Sequence, residues 1–218
     1  MLFVNFKTYE KGSGTDAINL VAMLESVSKD TQIKIVACVQ TSDIKEVSLS
    51  SALEIWAQHI DPVEFGSHTG SILAEAVYED GAVGTLLNHS EKRFADYNDL
   101  EVAHKRAKEA GLKTLIFAKD LNDLRTVIKF RPDFVSYEPP ELVGSKTTSV
   151  AISKKEVVKD AVEIANSIGI PLIVGAGIKS SEDVRVSVEL GASGVLVASD
   201  IVAANNPIKE LKDIIEGF

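Results

Sequence analysis

Eight short apolar runs, each followed by a polar or amphipathic stretch, constrain this chain most strongly. They are Leu2–Phe6, Gln32–Val39, Leu53–Ala57, Ala82–Leu87, Leu112–Ala118, Phe134–Tyr137, Pro171–Val174 and Ala192–Val197. Runs this short and rich in Val, Ile and Leu suit strands buried on both faces. The stretches between them carry the helical period. Ala161, Ile164, Ala165 and Ile168 fall at i, i+3, i+4 and i+7. Val102, Ala103, Ala107 and Ala110 make a similar stripe, closed by Gly111 as a C-cap, which leaves His104 on a polar, solvated face. Ser180-Ser181-Glu182-Asp183 is a helix start. Strand and helix alternating in this way imply a parallel sheet with right-handed crossovers. Eight units at roughly 27 residues each predict closure into a (β/α)8 barrel, one catalytic domain over residues 1–218. An open, doubly wound sheet is the alternative that pattern alone leaves.

Charge and cysteine usage narrow the function classes. Lys and Arg number 23 against 32 Asp and Glu, a net charge of -9. That argues against nucleic-acid or anionic-membrane partners, which need a basic patch. No apolar run approaches the ~18 residues of a membrane span, and no secretory leader pattern is visible. The single cysteine, Cys38, permits neither an internal disulfide nor a four-cysteine metal site, and reads as a small core residue. The expected address is the reducing cytoplasm.

In a barrel of this kind, chemistry sits at the C-terminal ends of the strands. The first run ends Asn5-Phe6-Lys7, so Asn5 and Lys7 share a strand face. The fourth runs into Asn88-His89-Ser90-Glu91. A short helix starting at Asn88 or Ser90 would put His89 at its positive end, favouring neutral imidazole. The sixth ends at Glu138 with two prolines behind it, followed by a long loop of small and polar residues. The seventh ends Gly175-Ala176-Gly177 and the eighth Ala198-Ser199-Asp200, small residues whose backbone N–H groups can approach an anion. Each feature has a plainer reading: a solvated strand end for Lys7, a surface loop for His89, a surface carboxylate for Glu138 and tight turns for the glycines. His59 and His68 lack metal-ligand spacing, so no metal is expected.

Taken together, the strand ends resemble the triosephosphate isomerase family, in its short archaeal form. The resemblance rests on Asn-x-Lys at Asn5 and Lys7, His-Thr-Gly at His68–Gly70, and Asn-His-Ser-Glu-x-Arg at Asn88–Arg93. It continues through Tyr-Glu-Pro-Pro-Glu-Leu-Val-Gly at Tyr137–Gly144 and the C-terminal glycine loops, in family order along nearly the whole chain. It implies an aldose–ketose isomerase interconverting dihydroxyacetone phosphate and D-glyceraldehyde 3-phosphate through an enediolate, in glycolysis and gluconeogenesis, with no cofactor. Glu138 would be the base and His89 the neutral electrophile. Lys7 would stabilise the enediolate, Asn5 would orient the substrate, and Glu91 would support the polar network. Val143, Gly144, Gly177, Ala198 and Ser199 would surround the phosphate. Thr69 would reach into a neighbouring subunit's site, making the protein a homodimer or homotetramer.

Two positions depart from the family pattern. Lys146 stands where the lid usually has glycine, and Phe117 where strand 5 often has cysteine; only a packing change is expected from Phe117. Two other functions share part of the pattern. A different sugar-phosphate isomerase or epimerase would need the glycine loops but not Asn5, Lys7, His89 and Glu138 together. A barrel that only binds a phosphorylated metabolite would need neither His89 nor Glu138.

Overall fold

All eight runs are strands in the computed structural model, which describes residues 1–139 and 149–218. They are β1 Leu2–Asn5, β2 Ile35–Val39, β3 Glu54–Ala57, β4 Gly84–Leu87, β5 Lys113–Ala118, β6 Phe134–Tyr137, β7 Leu172–Val174 and β8 Gly194–Val197. The helices are α1 Thr15–Thr31, α2 Ile44–Ser50, α3 Ala74–Glu79, α4 Tyr97–Glu109, α5 Leu121–Val127, α6 Val150–Ser153, α7 Lys155–Asn166, α8 Ser181–Glu189, α9 Ser199–Val202 and α10 Pro207–Ile215. Among the described residues the strands pair in parallel, in chain order, and β8 returns to β1. Leu2 lies opposite Ile35 on one side and Val195 on the other. The sheet is therefore a closed barrel rather than an open one, and each of the described strands is paired on both sides.

Alternation along each strand divides the core in two. Phe3, Val36, Cys38, Trp56, Leu86, Leu115, Phe117, Ile173 and Leu196 form one buried cluster that fills the barrel. Their neighbours, such as Val4, Ala37, Ile55, Leu87, Ile116, Val174 and Val197, join the larger cluster beneath the helices. Phe3 and Trp56 meet edge-on with ring centroids 5.2 Å apart. Gly84 makes room for that indole, since a Cβ there would fall 2.4 Å from its ring atoms. Carried two residues further, the inward rows end in Asn5, Gln58, Asn88, Glu138 and Gly175. The period that packs the barrel thus delivers polar groups to its C-terminal mouth.

Helix phase corrects three sequence expectations. The buried stripe of α4 is Leu100, Ala103, His104 and Ala107, so Val102 faces solvent and His104 does not. His104 lies against β5, its Nδ1 3.1 Å from Thr114 Oγ1. Ile168 falls beyond the end of α7 and is exposed, while Ala161, Ile164 and Ala165 are buried as the period predicts. The start signal before α8 is realised as a capping box between Ser180 and Asp183. Cys38 is a core residue inside the barrel, and burial pushes its thiol up, away from thiolate.

Candidate active site

Asn5 and Lys7 emerge together from β1. The Asn5 side-chain oxygen accepts from the Lys7 backbone N–H at 3.0 Å. Gln58 donates to the Lys7 carbonyl at 2.9 Å and to the Cys38 carbonyl at 3.2 Å. These bonds hold Lys7 at φ 48°, in the left-handed region that costs a non-glycine residue energy. The turn sends the Lys7 ammonium across the mouth, where it donates to Glu91 Oε1 at 2.7 Å.

The segment after β4 is a turn, not the helix start that its residues suggested. Asn88 adopts φ 62°, and its side chain donates to the Phe117 carbonyl at 3.1 Å and accepts from Phe94 N–H at 3.3 Å. The next helix begins only at Tyr97, capped by Asp96. Inside this turn the Glu91 backbone N–H donates to His89 Nδ1 at 3.2 Å. With Nδ1 accepting, neutral His89 carries its proton on Nε2. That atom lies 3.4 Å from Glu138 Oε2. Phe117 packs edge-on against the imidazole at 4.8 Å, so this departure from the family pattern touches a candidate catalytic ring. Burial, more than any charge, holds His89 down to about 4; Glu91 opposes the shift and Lys7 and Arg93 reinforce it. The imidazole is neutral at pH 7, through desolvation rather than a helix dipole.

Glu138 continues β6 by one residue, its N–H donating to the Ala118 carbonyl at 2.9 Å. The carboxyl is 2% exposed, and its Oε2 accepts from Ser90 Oγ at 3.2 Å. Burial pushes it up to about 7, against the opposing pull of the Ser90 hydrogen bond and of Lys7. Gly175 leaves it room, since a Cβ there would lie 3.3 Å from Glu138 Oε1 and 2.7 Å from Ser136 Oγ.

A cavity of about 50 Å³ joins these groups to the ends of β7 and β8, with Lys7, His89, Glu138, Gly177, Ala198 and Ser199 on its wall. Gly177 has φ 70°, a conformation that favours glycine. Ala198 caps α9, so the first N–H groups of that turn have no helical acceptor. A wider cleft of about 440 Å³ shares Lys7 and His89 and extends past Asn5, Gln58 and His59. Thus Asn5, Lys7, His89, Glu91, Glu138, Gly177, Ala198 and Ser199 converge on one mouth. Val143, Gly144 and Lys146 lie outside the described residues. Thr69 stands apart, on an exposed loop whose base is tied by Asp61 and Ile72. Sequence reasoning missed Gln58, the room that Gly175 leaves beside Glu138, and the contact from Ser90 to Glu138. Gln58, a lone amide two residues past the inward Trp56, carried a period-two signal; the other two are tertiary.

A buried carboxyl that ionises near neutrality, beside a neutral N–H donor and an ammonium, can move a proton on carbon and steady the charge that results. On this barrel, that chemistry defines an enzyme of the isomerase class. The sequence pattern of the family described as triosephosphate isomerase matches residues 1–217. A Methanobacterium bryantii protein of that name is 38% identical over 219 residues, covering 99% of this chain and 95% of its own. Its namesake from Saccharolobus solfataricus is 40% identical over 216 residues, with 99% and 94% covered, and that from Methanocaldococcus jannaschii 36% over 220, with 99% of each. The chain belongs to the triosephosphate isomerase family.

Proposed function

We propose that residues 1–218 act as one catalytic unit interconverting dihydroxyacetone phosphate and D-glyceraldehyde 3-phosphate. The observation that carries this reading is the buried Glu138 carboxyl, with an ionisation near 7, facing a neutral His89 Nε2 donor at 3.4 Å. Ionised Glu138 takes the proton from the substrate carbon beside the carbonyl. The C–H electron pair becomes the carbon–carbon double bond of an enediolate, and the carbonyl π pair moves onto oxygen. His89 polarises that oxygen and relays protons between the two substrate oxygens. The Lys7 ammonium stabilises the negative charge, and Asn5 orients the substrate. Glu91 supports the network through Lys7 and His89. Return of the proton from Glu138 to the neighbouring carbon completes the isomerisation.

The phosphate binds at Gly177, Ala198 and Ser199, whose backbone N–H groups suit an anion despite the chain's net charge of -9. Val143 and Gly144, as the family resemblance implies, complete that site. The protein works in the cytoplasm, in glycolysis and gluconeogenesis. It assembles as a homodimer or homotetramer, with Thr69 entering the neighbouring subunit's cleft beside Lys7 and His89. Support for this assembly comes from the loop itself, on which residues 64–71 are exposed, Phe65 at 73%.

A coupled isomerase assay on triose phosphates, run beside pentulose phosphates and across protein dilutions, tests the reaction and the assembly together. Turnover of the triose phosphates, with activity falling on dilution, is expected. Glu138→Asp should cut kcat by at least ~100-fold while the protein stays folded. Full activity in that variant would overturn the assignment. Binding without turnover would indicate a non-catalytic phosphate receptor.

A further inference from the structure

Two consecutive carbonyls at the end of β5 hold the two segments that carry His89 and Glu138. The Phe117 carbonyl accepts from the Asn88 side chain at 3.1 Å, and the Ala118 carbonyl accepts from the Glu138 N–H at 2.9 Å. Successive carbonyls of a strand point to opposite neighbours, so one meets the turn after β4 and the other the end of β6. The Phe117 ring adds a third contact. It stands at 86° to the His89 imidazole, with ring centroids 4.8 Å apart. The ring is itself held from below. Phe117 is fully buried and belongs to the cluster with Leu86, Leu115 and Leu196 that fills the barrel. It lies opposite Ser136, two residues short of Glu138 on β6.

We propose that Phe117 is a positioning residue: its carbonyl and its ring seat the turn after β4 at two points and fix the His89 imidazole with Nε2–H toward the cavity shared with Glu138. The torsion that spins an imidazole about its Cβ–Cγ bond is broad and roughly two-fold, so the backbone of the turn does not by itself decide which nitrogen faces that cavity. The Glu91 N–H holds Nδ1 at 3.2 Å, a single bond between neutral groups. Lys7 from β1, Glu91 and Arg93 from the turn and Glu138 from β6 act on the imidazole through charge or hydrogen bonding. Among the described residues, Phe117 is the one aromatic ring in contact with it. Turning the imidazole would drive its edge into the phenyl ring, and a close-packed interior beneath gives that ring nowhere to move. A leucine would still fill the barrel but would present no flat face, and the imidazole could turn.

This inference rests on His89 being the electrophile, and one of its two readouts needs no turnover. The NMR resonances of the His89 ring nitrogens at neutral pH, and steady-state kinetics on triose phosphates, are measured in the wild-type, Phe117→Leu and Leu115→Val enzymes. Leu115 lies two residues deeper on the same inward row and is the packing control. The wild type should show one tautomer, with Nδ1 bare and Nε2 protonated. Phe117→Leu should move both resonances toward the average of the two tautomers. It should also lower kcat ~10-fold with KM changed less than ~2-fold, because the turn carries His89 rather than the phosphate site. Leu115→Val should lower the urea midpoint and leave the resonances in place. Resonances unmoved in Phe117→Leu, kcat within ~2-fold of wild type, or the same shift in Leu115→Val would overturn the proposal, since a packing role predicts one of those results. If Phe117→Leu fails to fold, Phe117→Met carries the same expectations, its flexible side chain filling the gap without a flat face. Full activity in His89→Gln would instead refute the electrophile reading, and the resonance shift would still decide the seating of the ring.

Discussion

Glu138→Gln should destroy activity and, at alkaline pH, stabilise the protein. The substitution keeps shape and volume and removes only the charge. In the fold the carboxyl is 2% exposed and is pushed from 4.5 up to about 7. The folded state therefore holds this proton more tightly than the unfolded chain does. Its contribution favours folding below 4.5 and is lost as pH rises through 7. A rise of that size is worth about 3 kcal/mol, so at pH 8 the wild-type fold carries roughly that cost for an ionised, buried base. Glutamine removes it, and its amide oxygen can still accept from Ser90 Oγ at the place now taken by Oε2. A net gain of about 3 kcal/mol is expected at pH 8, shrinking to near zero by pH 4. Urea denaturation followed through Trp56, the single tryptophan, at fixed protomer concentration reads this directly. A gain that does not depend on pH, or a variant less stable than wild type at pH 8, would show that burial does not set the ionisation of Glu138.

The same groups make three further predictions. In the wild-type enzyme kcat/KM should fall about tenfold per pH unit below about 7 as Glu138 is protonated, with no second limb from His89 until about pH 4; a pH–rate profile corrected for substrate ionisation checks this. Gly175→Ala would set a Cβ 2.7 Å from Ser136 Oγ and 3.3 Å from Glu138 Oε1, so the Glu138 carboxyl must shift; a loss of ~10–100-fold in kcat with about 1–3 kcal/mol of destabilisation is expected, read by steady-state kinetics and urea melts. Burial holds His104 below its ordinary 6.5, so its stabilising contribution is present above 6.5 and lost as pH falls; His104→Gln should flatten the decline of the urea midpoint below pH 6.5.

The strands were legible because a closed parallel barrel buries both faces of every strand, so Val36, Leu86 and Ile173 inside and Ala37, Leu87 and Val174 outside merge into continuous apolar runs. The mouth was legible for a complementary reason. Asn5, Lys7 and Glu138 interrupt those runs at their C-terminal ends, where packing no longer explains a polar residue. Helix phase was harder to read. The stripe through Val102 and the true stripe through Leu100 and His104 differ by a fraction of a turn, and only contact with Thr114 on β5 decides between them. The surroundings of His89 were illegible for another reason. Ser-Glu after asparagine is a sound helix start, but the Asn88 side chain takes the Phe94 N–H and closes a turn instead.

One physical cause acts on Glu138 and His89 with opposite sign. Desolvation disfavours whichever form is charged, so it raises a carboxyl and lowers an imidazole. Ordinary values put Glu below His, at 4.5 and 6.5; here Glu138 stands at about 7 and His89 at about 4. The order is inverted. Burial therefore works against a carboxylate–imidazolium ion pair across the 3.4 Å gap. That matters for catalysis. An imidazolium beside a carboxylate would tie the base to its neighbour and spend its donor there. A neutral ring whose Nδ1 is occupied by the Glu91 N–H keeps Nε2–H available to a substrate oxygen and leaves the carboxylate free for carbon. Phe117 against the imidazole and the buried end of β6 around Glu138 therefore belong to the proposed chemistry, although neither exchanges a proton.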